Sequence, residues 1–143
     1  MNPILQLKQI RKSYNIGTSI ETEILHGIDL QLAPGSFSAL TGPSGSGKST
    51  LLNIIGLLEA PTSGELVIAG QSTDHISDDR LTQLRGRNIG FVFQFHHLLP
   101  AFNALENVMM PSIIHHLMTR SQAEQRAHEL LNEIGRASCR ERV

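Results

Sequence analysis

The chain has 143 residues, enough for one domain with a packed core but too few for two ordinary ones. A hydrophobic content of 40% and a charged content of 17% describe a soluble globular protein, and a formal net charge of -1 gives no electrostatic case for a nucleic-acid partner. No apolar run approaches the roughly 20 residues of a membrane helix, no signal-peptide pattern opens the chain, and the single cysteine, Cys139, excludes an internal disulfide and suits a reducing cytoplasm.

In chain order, residues 4–10 alternate well enough for a strand, followed by short strands at 24–25 and 28–32 and a turn at Ala33, Pro34 and Gly35. Residues 37–41 are expected to form a short buried strand. The next stretch is Gly42, Pro43, Ser44, Gly45, Ser46, Gly47, Lys48 and Ser49, which fits the phosphate-loop pattern of glycine, four residues, glycine, lysine, serine or threonine. A helix is expected over residues 49–58, stopping before Pro61, then a strand over 65–69. Ser77 is expected to cap a short helix through Leu84. Residues 89–93 read as another buried strand, and a helix near 104–110 is expected to end at Pro111. The last helix is expected to start at Ser121, whose spacing to Glu124 is that of a capping box. Its Ala123, Ala127, Leu130, Leu131 and Ile134 share one helical face. Strands before and after the phosphate loop suggest an α/β nucleotide-binding core beside an antiparallel sheet.

The phosphate loop has a physical rationale. Glycines 42, 45 and 47 let the backbone bend and expose successive N–H groups, and the following helix adds its unsatisfied donors and positive dipole end. ATP is the implied ligand. The amides from Gly42 to Thr50 would cradle its phosphates, Lys48 would reach the β- and γ-phosphates, and the Ser49 hydroxyl would ligate Mg²⁺. A flexible Gly/Ser turn would share the composition but not the strand and helix on either side.

Two further residues are candidates. Tyr14, the only tyrosine, is expected in the loop after the first strand, where its ring could stack on adenine; an ordinary half-buried tyrosine would look the same. Gln94 follows the apolar segment ending at Phe93, at the strand edge where α/β ligands bind, and its amide oxygen could meet Mg²⁺ or orient water. Most loop glutamines, however, are simply solvated. The adjacent pairs His96–His97 and His115–His116 point in different directions and read as loop or surface histidines rather than chelates, as do His26, His75 and His128. The alternation of Phe91, Phe93 and Phe95 reads as core and rim packing.

Taken together, Tyr14, Gly42 to Ser49, Pro61-Thr62-Ser63-Gly64 and Gly90-Phe91-Val92-Phe93-Gln94 resemble the ATP-binding cassette of ABC transporters. The segment from Phe91 to Pro111 is similar to the lipoprotein-releasing (LolD-type) branch, near macrolide-export (MacB-type) cassettes. The resemblance spans residues 4–135. It implies a P-loop NTPase fold of ABC type with an adjacent antiparallel β subdomain, in which Tyr14 stacks on adenine. Gln94 contacts the metal and couples hydrolysis to the membrane subunit, which the loop at His96, His97, Leu98 and Leu99 faces. It implies membrane permease subunits and a second cassette as partners, on the cytoplasmic face of the inner or plasma membrane.

The family's later motifs are not found: no Leu-Ser-Gly-Gly signature, no apolar strand ending in Asp-Glu and no switch histidine follow Gln94. Residues 136–143 are polar, without cap or periodicity, and are expected to be foreign to the domain, the mark of a truncated gene or a sequencing scar. On its own, the chain is therefore expected to bind nucleotide weakly and to hydrolyse little. A nucleotide-binding or permease-docking fragment, a small phosphate-loop kinase and a chromosome-maintenance ATPase head are the other readings. The kinase would need a substrate lid, and the ATPase head long coiled coils.

Overall fold

The computed structural model describes residues 2–95 and 97–140, without the side chains of 136–140. Expectations resting on His96, on the Cys139 side chain and on residues 141–143 lie outside the described residues. The chain divides into two compact units, Met1–Gly90 and Phe91–Val143.

In the first unit, β1 (Leu5–Tyr14) pairs antiparallel with β2 (Thr22–Leu32) on one side and with β3 (Ser63–Ile68) on the other. The two-residue β4 (Gln71–Ser72) pairs antiparallel with the end of β3, giving the order β2-β1-β3-β4. Register explains the burial. Leu5 faces Ile68 and Leu7 faces Leu66 across the β1–β3 ladder, and all four are buried because alternate residues of a strand share one face. The two short strands expected at 24–25 and 28–32 are one strand. Gly27 bridges them at φ +89°, in the left-handed region that glycine tolerates.

Helix α1 (Lys48–Ile55) sends Leu51 and Ile54 into the core, and α2 (Asp78–Asn88) adds Leu84. Ser77 caps α2 as expected, accepting from the Arg80 amide, and Asp78 and Asp79 in the first turn complement the helix dipole. The α2 helix runs four residues past Leu84. Helix α1 ends three residues before Leu58 because Leu57 turns left-handed at φ +56°. The Leu58 N–H then donates to the Asn53 carbonyl (2.9 Å), and Arg85 of α2 donates to the Leu57 carbonyl (2.9 Å), covering oxygens that the helix end exposes.

Two expected strands do not form. Residues 37–41 carry no strand, and Phe37 is 98% exposed; residues 89–93 likewise carry none, with Val92 fully exposed. Apolar β-forming residues supply propensity, but a strand exists only as a pairing, and among the described residues neither segment has a ladder partner. The Phe91, Phe93 and Phe95 series is likewise not core. All three are exposed, and Phe91 and Phe93 stack with ring centroids 5.1 Å apart.

The second unit holds α3 (Ala104–Ile114) and α4 (Arg120–Arg140), which meet through Met109, Ala123 and Ala127. A capping box starts α3: Asn103 accepts from the Glu106 amide, and Glu106 accepts from the Asn103 amide, each at 2.9 Å. The helix does not end at Pro111 but passes through it to Ile114. Proline removes one N–H and one bond to the preceding turn, a cost that does not prevent the residues after it from continuing the helix. The cap of α4 lies earlier than Ser121. The Gln122 side chain accepts from the Thr119 amide (3.0 Å), and Thr119 Oγ1 accepts from the Gln122 amide (3.4 Å). Of the expected α4 face, Ala123 and Ala127 are buried, Leu130 and Leu131 half-buried and Ile134 exposed, so only the first part of the stripe is used. The α4 backbone stays helical past Gly135 to Arg140.

Candidate nucleotide site

The phosphate loop lies between residues 37–41 and α1. Gly45 and Gly47 take φ of +80° and +82°, in the left-handed region that glycine tolerates, and bend the chain before α1. Gly47 is the N-cap of α1. A Cβ there would stand 2.8 Å from Leu25 Cδ2 and 3.1 Å from Ile24 Cγ2, so β2 packs directly against the loop backbone. No side chain caps α1, and its first turn carries no acidic residue. The orphan N–H groups and the positive dipole end are therefore left for an anion.

Lys48 folds back over the loop. Its ammonium donates to the Gly42 carbonyl (3.0 Å), the Pro43 carbonyl (2.5 Å) and Ser46 Oγ (3.5 Å). These contacts hold the charge at the centre of the loop, where it can exchange some of them for phosphate oxygens. A cleft of about 600 Å³ opens beside it, lined by Tyr14, Ile24, Ser44, Gly45, Gly47, Lys48, Ser49 and Thr50. The structure thus brings Tyr14 together with the loop, although 34 residues separate it from Lys48 (48 − 14). Tyr14 is the last residue of β1, opposite Thr22, and not in a following loop, because the β1–β2 ladder continues to that point.

Two residues beside the cleft escaped the sequence reading. Lys12 Nζ lies 5.1 Å from the Tyr14 ring centroid and pairs with Glu59 Oε1 at 3.0 Å, while the Tyr14 hydroxyl donates to Glu59 Oε2 at 3.1 Å. Burial pushes the Glu59 carboxyl up, but hydrogen bonds from Lys12 and Tyr14 outweigh it, and the carboxyl lies below its ordinary range. Lys12 could have been noticed, since residues two apart on a strand share a face. Nothing in the local sequence marks Glu59.

Gln94 sits in an exposed bend of the second unit. His97 packs edge-on to Phe93, with centroids 4.7 Å apart. Among the described residues, no group of three or more His, Cys, Asp or Glu side chains could hold a metal ion, and no helix is long and apolar enough to cross a membrane.

Residues 25–143 match the ABC transporter family. The chain is 58% identical over 135 residues to lipoprotein-releasing system ATP-binding protein LolD 1 of Rhodopseudomonas palustris, covering 94% of this chain and 60% of that protein. It is 50% identical over 133 residues to LolD of Anaeromyxobacter dehalogenans, covering 93% and 55%. A solved dimeric ATP-binding cassette in a post-hydrolysis state, bound to ADP and Pi, superposes with a TM-score of 0.80 at 42% identity, over 90% of this chain and 56% of that one. The chain thus spans little more than half the length of the relatives it matches. With the family pattern matched over most of its residues and a glycine-built phosphate loop at the start of α1, this chain belongs to the ABC transporter family.

Proposed function

We propose that this chain forms the nucleotide-gripping part of an ATP-binding subunit that couples ATP hydrolysis to transport, in lipoprotein release or a related export. The cleft carries the reading: Tyr14, Ser44, Gly45 and residues 47–50 surround one space next to the Lys48 ammonium. Backbone amides from Gly42 to Thr50 bind the phosphates, Lys48 offsets charge on the β- and γ-phosphates, and the Tyr14 ring stacks on the adenine. Phosphoryl transfer to water depends chiefly on such placed positive charge.

The Ser49 hydroxyl, in the first turn of α1 and on the cleft wall, fits Mg²⁺, a hard cation that takes few protein oxygens and shares phosphate oxygens. The metal would neutralise phosphate charge there. For Gln94, the metal contact and the coupling role rest on the family resemblance alone. The lipoprotein branch is supported by the relatives' names, and pairing with permease subunits and a second cassette by the family and its dimeric neighbour. Attachment to the cytoplasmic face of the inner membrane follows from the same partners.

Titration of the 143-residue chain with MgATP by calorimetry tests the reading. Lys48→Glu is expected to weaken binding by at least about tenfold, the scale of losing a charge-assisted hydrogen bond and gaining a repulsion. Equal affinity in the two proteins would refute it. Hydrolysis by this chain alone is expected to be slight.

A further inference from the structure

The aromatic ring beside the phosphate loop is fixed from two directions. Its hydroxyl donates to Glu59 Oε2 at 3.1 Å, and the ammonium of Lys12 lies 5.1 Å from the ring centroid. Lys12 is itself held twice, by Glu59 Oε1 at 3.0 Å and by the Ala60 carbonyl at 2.8 Å. Lys12 and Glu59 are half-buried as side chains, at 14% and 25% exposure, while Tyr14 is 37% exposed, so the ring is held by its two partners and keeps an open side. The ammonium sits over one face of the ring, and a base can then stack only on the other. Glu59 follows α1, the helix whose N-terminus closes the phosphate loop, so one short helix carries the phosphate seat at its start and leads into the anchor of the base platform at its end.

We propose that Glu59 and Lys12 are positioning residues that lock the Tyr14 ring in place, and that they set how strongly the site favours a nucleotide over a bare polyphosphate chain. The inference rests on the reading of Tyr14 as the base platform. A ring free to rotate about its side-chain bonds must be ordered when the base binds. A ring already held by Glu59 and covered by Lys12 is preorganised, and the ordering cost falls on folding instead.

The test compares ATP with tripolyphosphate, each with Mg²⁺, on the full chain by calorimetry. Tyr14→Ala is expected to weaken ATP by about tenfold, within the range of one base–aromatic stack, and to leave tripolyphosphate within about twofold. Glu59→Ala and Tyr14→Phe are each expected to weaken ATP by about threefold, again with tripolyphosphate unchanged, and the double variant to be no worse than either alone. Because the chain has one tyrosine and no tryptophan, its intrinsic emission reports Tyr14 alone. Quenching by saturating ATP is expected to be smaller in Glu59→Ala than in the parent.

If Tyr14→Ala weakens ATP but Glu59→Ala and Tyr14→Phe match the parent, the positioning role is wrong and the base platform stands. If Tyr14→Ala changes nothing, the platform fails and the positioning role with it. If Glu59→Ala weakens ATP and tripolyphosphate equally, Glu59 supports the fold and not the ring, which also overturns the proposal.

Discussion

Gly64 of β3 and Gln9 of β1 meet backbone to backbone: a Cβ on Gly64 would stand 2.4 Å from the Gln9 carbonyl oxygen. The contact has a cause. The β1–β3 register shifts between Lys8 and Arg11, and Gln9 sits in that irregularity at φ +49°. Asp29 of β2 holds the kink from the other side, accepting from the Gln9 amide at 2.9 Å and from its side-chain nitrogen. Gly64 itself has φ +102°. Gly64→Ala combines a backbone clash with a conformation that L side chains avoid, and is expected to destabilise the chain by about 3 kcal/mol or more. A urea midpoint within error of the parent would show that the two strands are not packed this closely.

Gly47 presents the same problem inside the nucleotide site. Gly47→Ala would drive a methyl group into Leu25 and Ile24 while forbidding φ +82° at the start of α1. Both effects misplace the amides that follow. The expected result is a fall of at least about tenfold in MgATP affinity together with a lower melting temperature. Gly45→Ala separates the two causes, because nothing lies within 4 Å of a Cβ there while its φ is still +80°. It should cost affinity with less loss of stability, read by calorimetry and thermal melts on the same samples.

How far the sequence reached depended on whether a feature was local. The glycine bends before α1, the cap at Ser77, the first part of the first strand and the face carrying Ala123 and Ala127 depend on neighbours within a few residues, and they were legible. The strands expected at 37–41 and 89–93 depend on distant partners that apolar composition does not supply, and they failed. Tyr14 was legible as a candidate aromatic but was expected in a loop rather than at the end of β1, and its junction with Glu59, 45 residues on, was not legible, since only the fold joins β1 to the segment after α1. The end of α1 moved with an interaction a pattern cannot show, Arg85 reaching the Leu57 carbonyl, whereas the earlier start of α4 rests on the local Thr119–Gln122 pair.

The acid side of the stability profile should show Glu59. Its carboxyl is held below the usual value of 4.5 in the folded chain, so its ionised form favours folding. That contribution is fully present above the unfolded value and is lost as pH falls below it, when the carboxyl must take up a proton. Glu59→Gln removes the titration. The stability gap between parent and variant, measured by chemical denaturation, is expected to be largest near neutral pH and to shrink below about pH 4.5. A gap that widens on acidification would reverse the sign of the shift.

Asn107 in the second unit ties down the turn before α3. Its Oδ1 accepts from the Leu99 amide at 2.8 Å, and its Nδ2 donates to the carbonyls of Leu99 (3.2 Å), Phe102 (3.0 Å) and Asn103 (2.9 Å). One amide group thereby replaces the backbone partners that an irregular turn lacks. Asn107→Ala is expected to cost about 1–3 kcal/mol and to speed hydrogen exchange at the Leu99 amide, while Asn107→Asp, which keeps the acceptor, preserves protection at Leu99. Unchanged exchange at Leu99 in both variants would remove the turn's dependence on this side chain.

Exposed apolar side chains at Phe37 and Val92 make the final prediction a matter of solubility rather than stability. Each lies in a segment with no ladder partner among the described residues, and such segments offer free N–H and C=O groups beside apolar surface. Self-association through them is favourable because it satisfies both at once. Phe37→Lys and Val92→Lys place a charge on each segment without removing a packed contact. They are expected to change folding stability by no more than about 0.5 kcal/mol and to raise the concentration at which light scattering first detects aggregates. A loss of about 2 kcal/mol or more in either variant would mean that the side chain is packed in solution, and that the segment is paired as a strand after all.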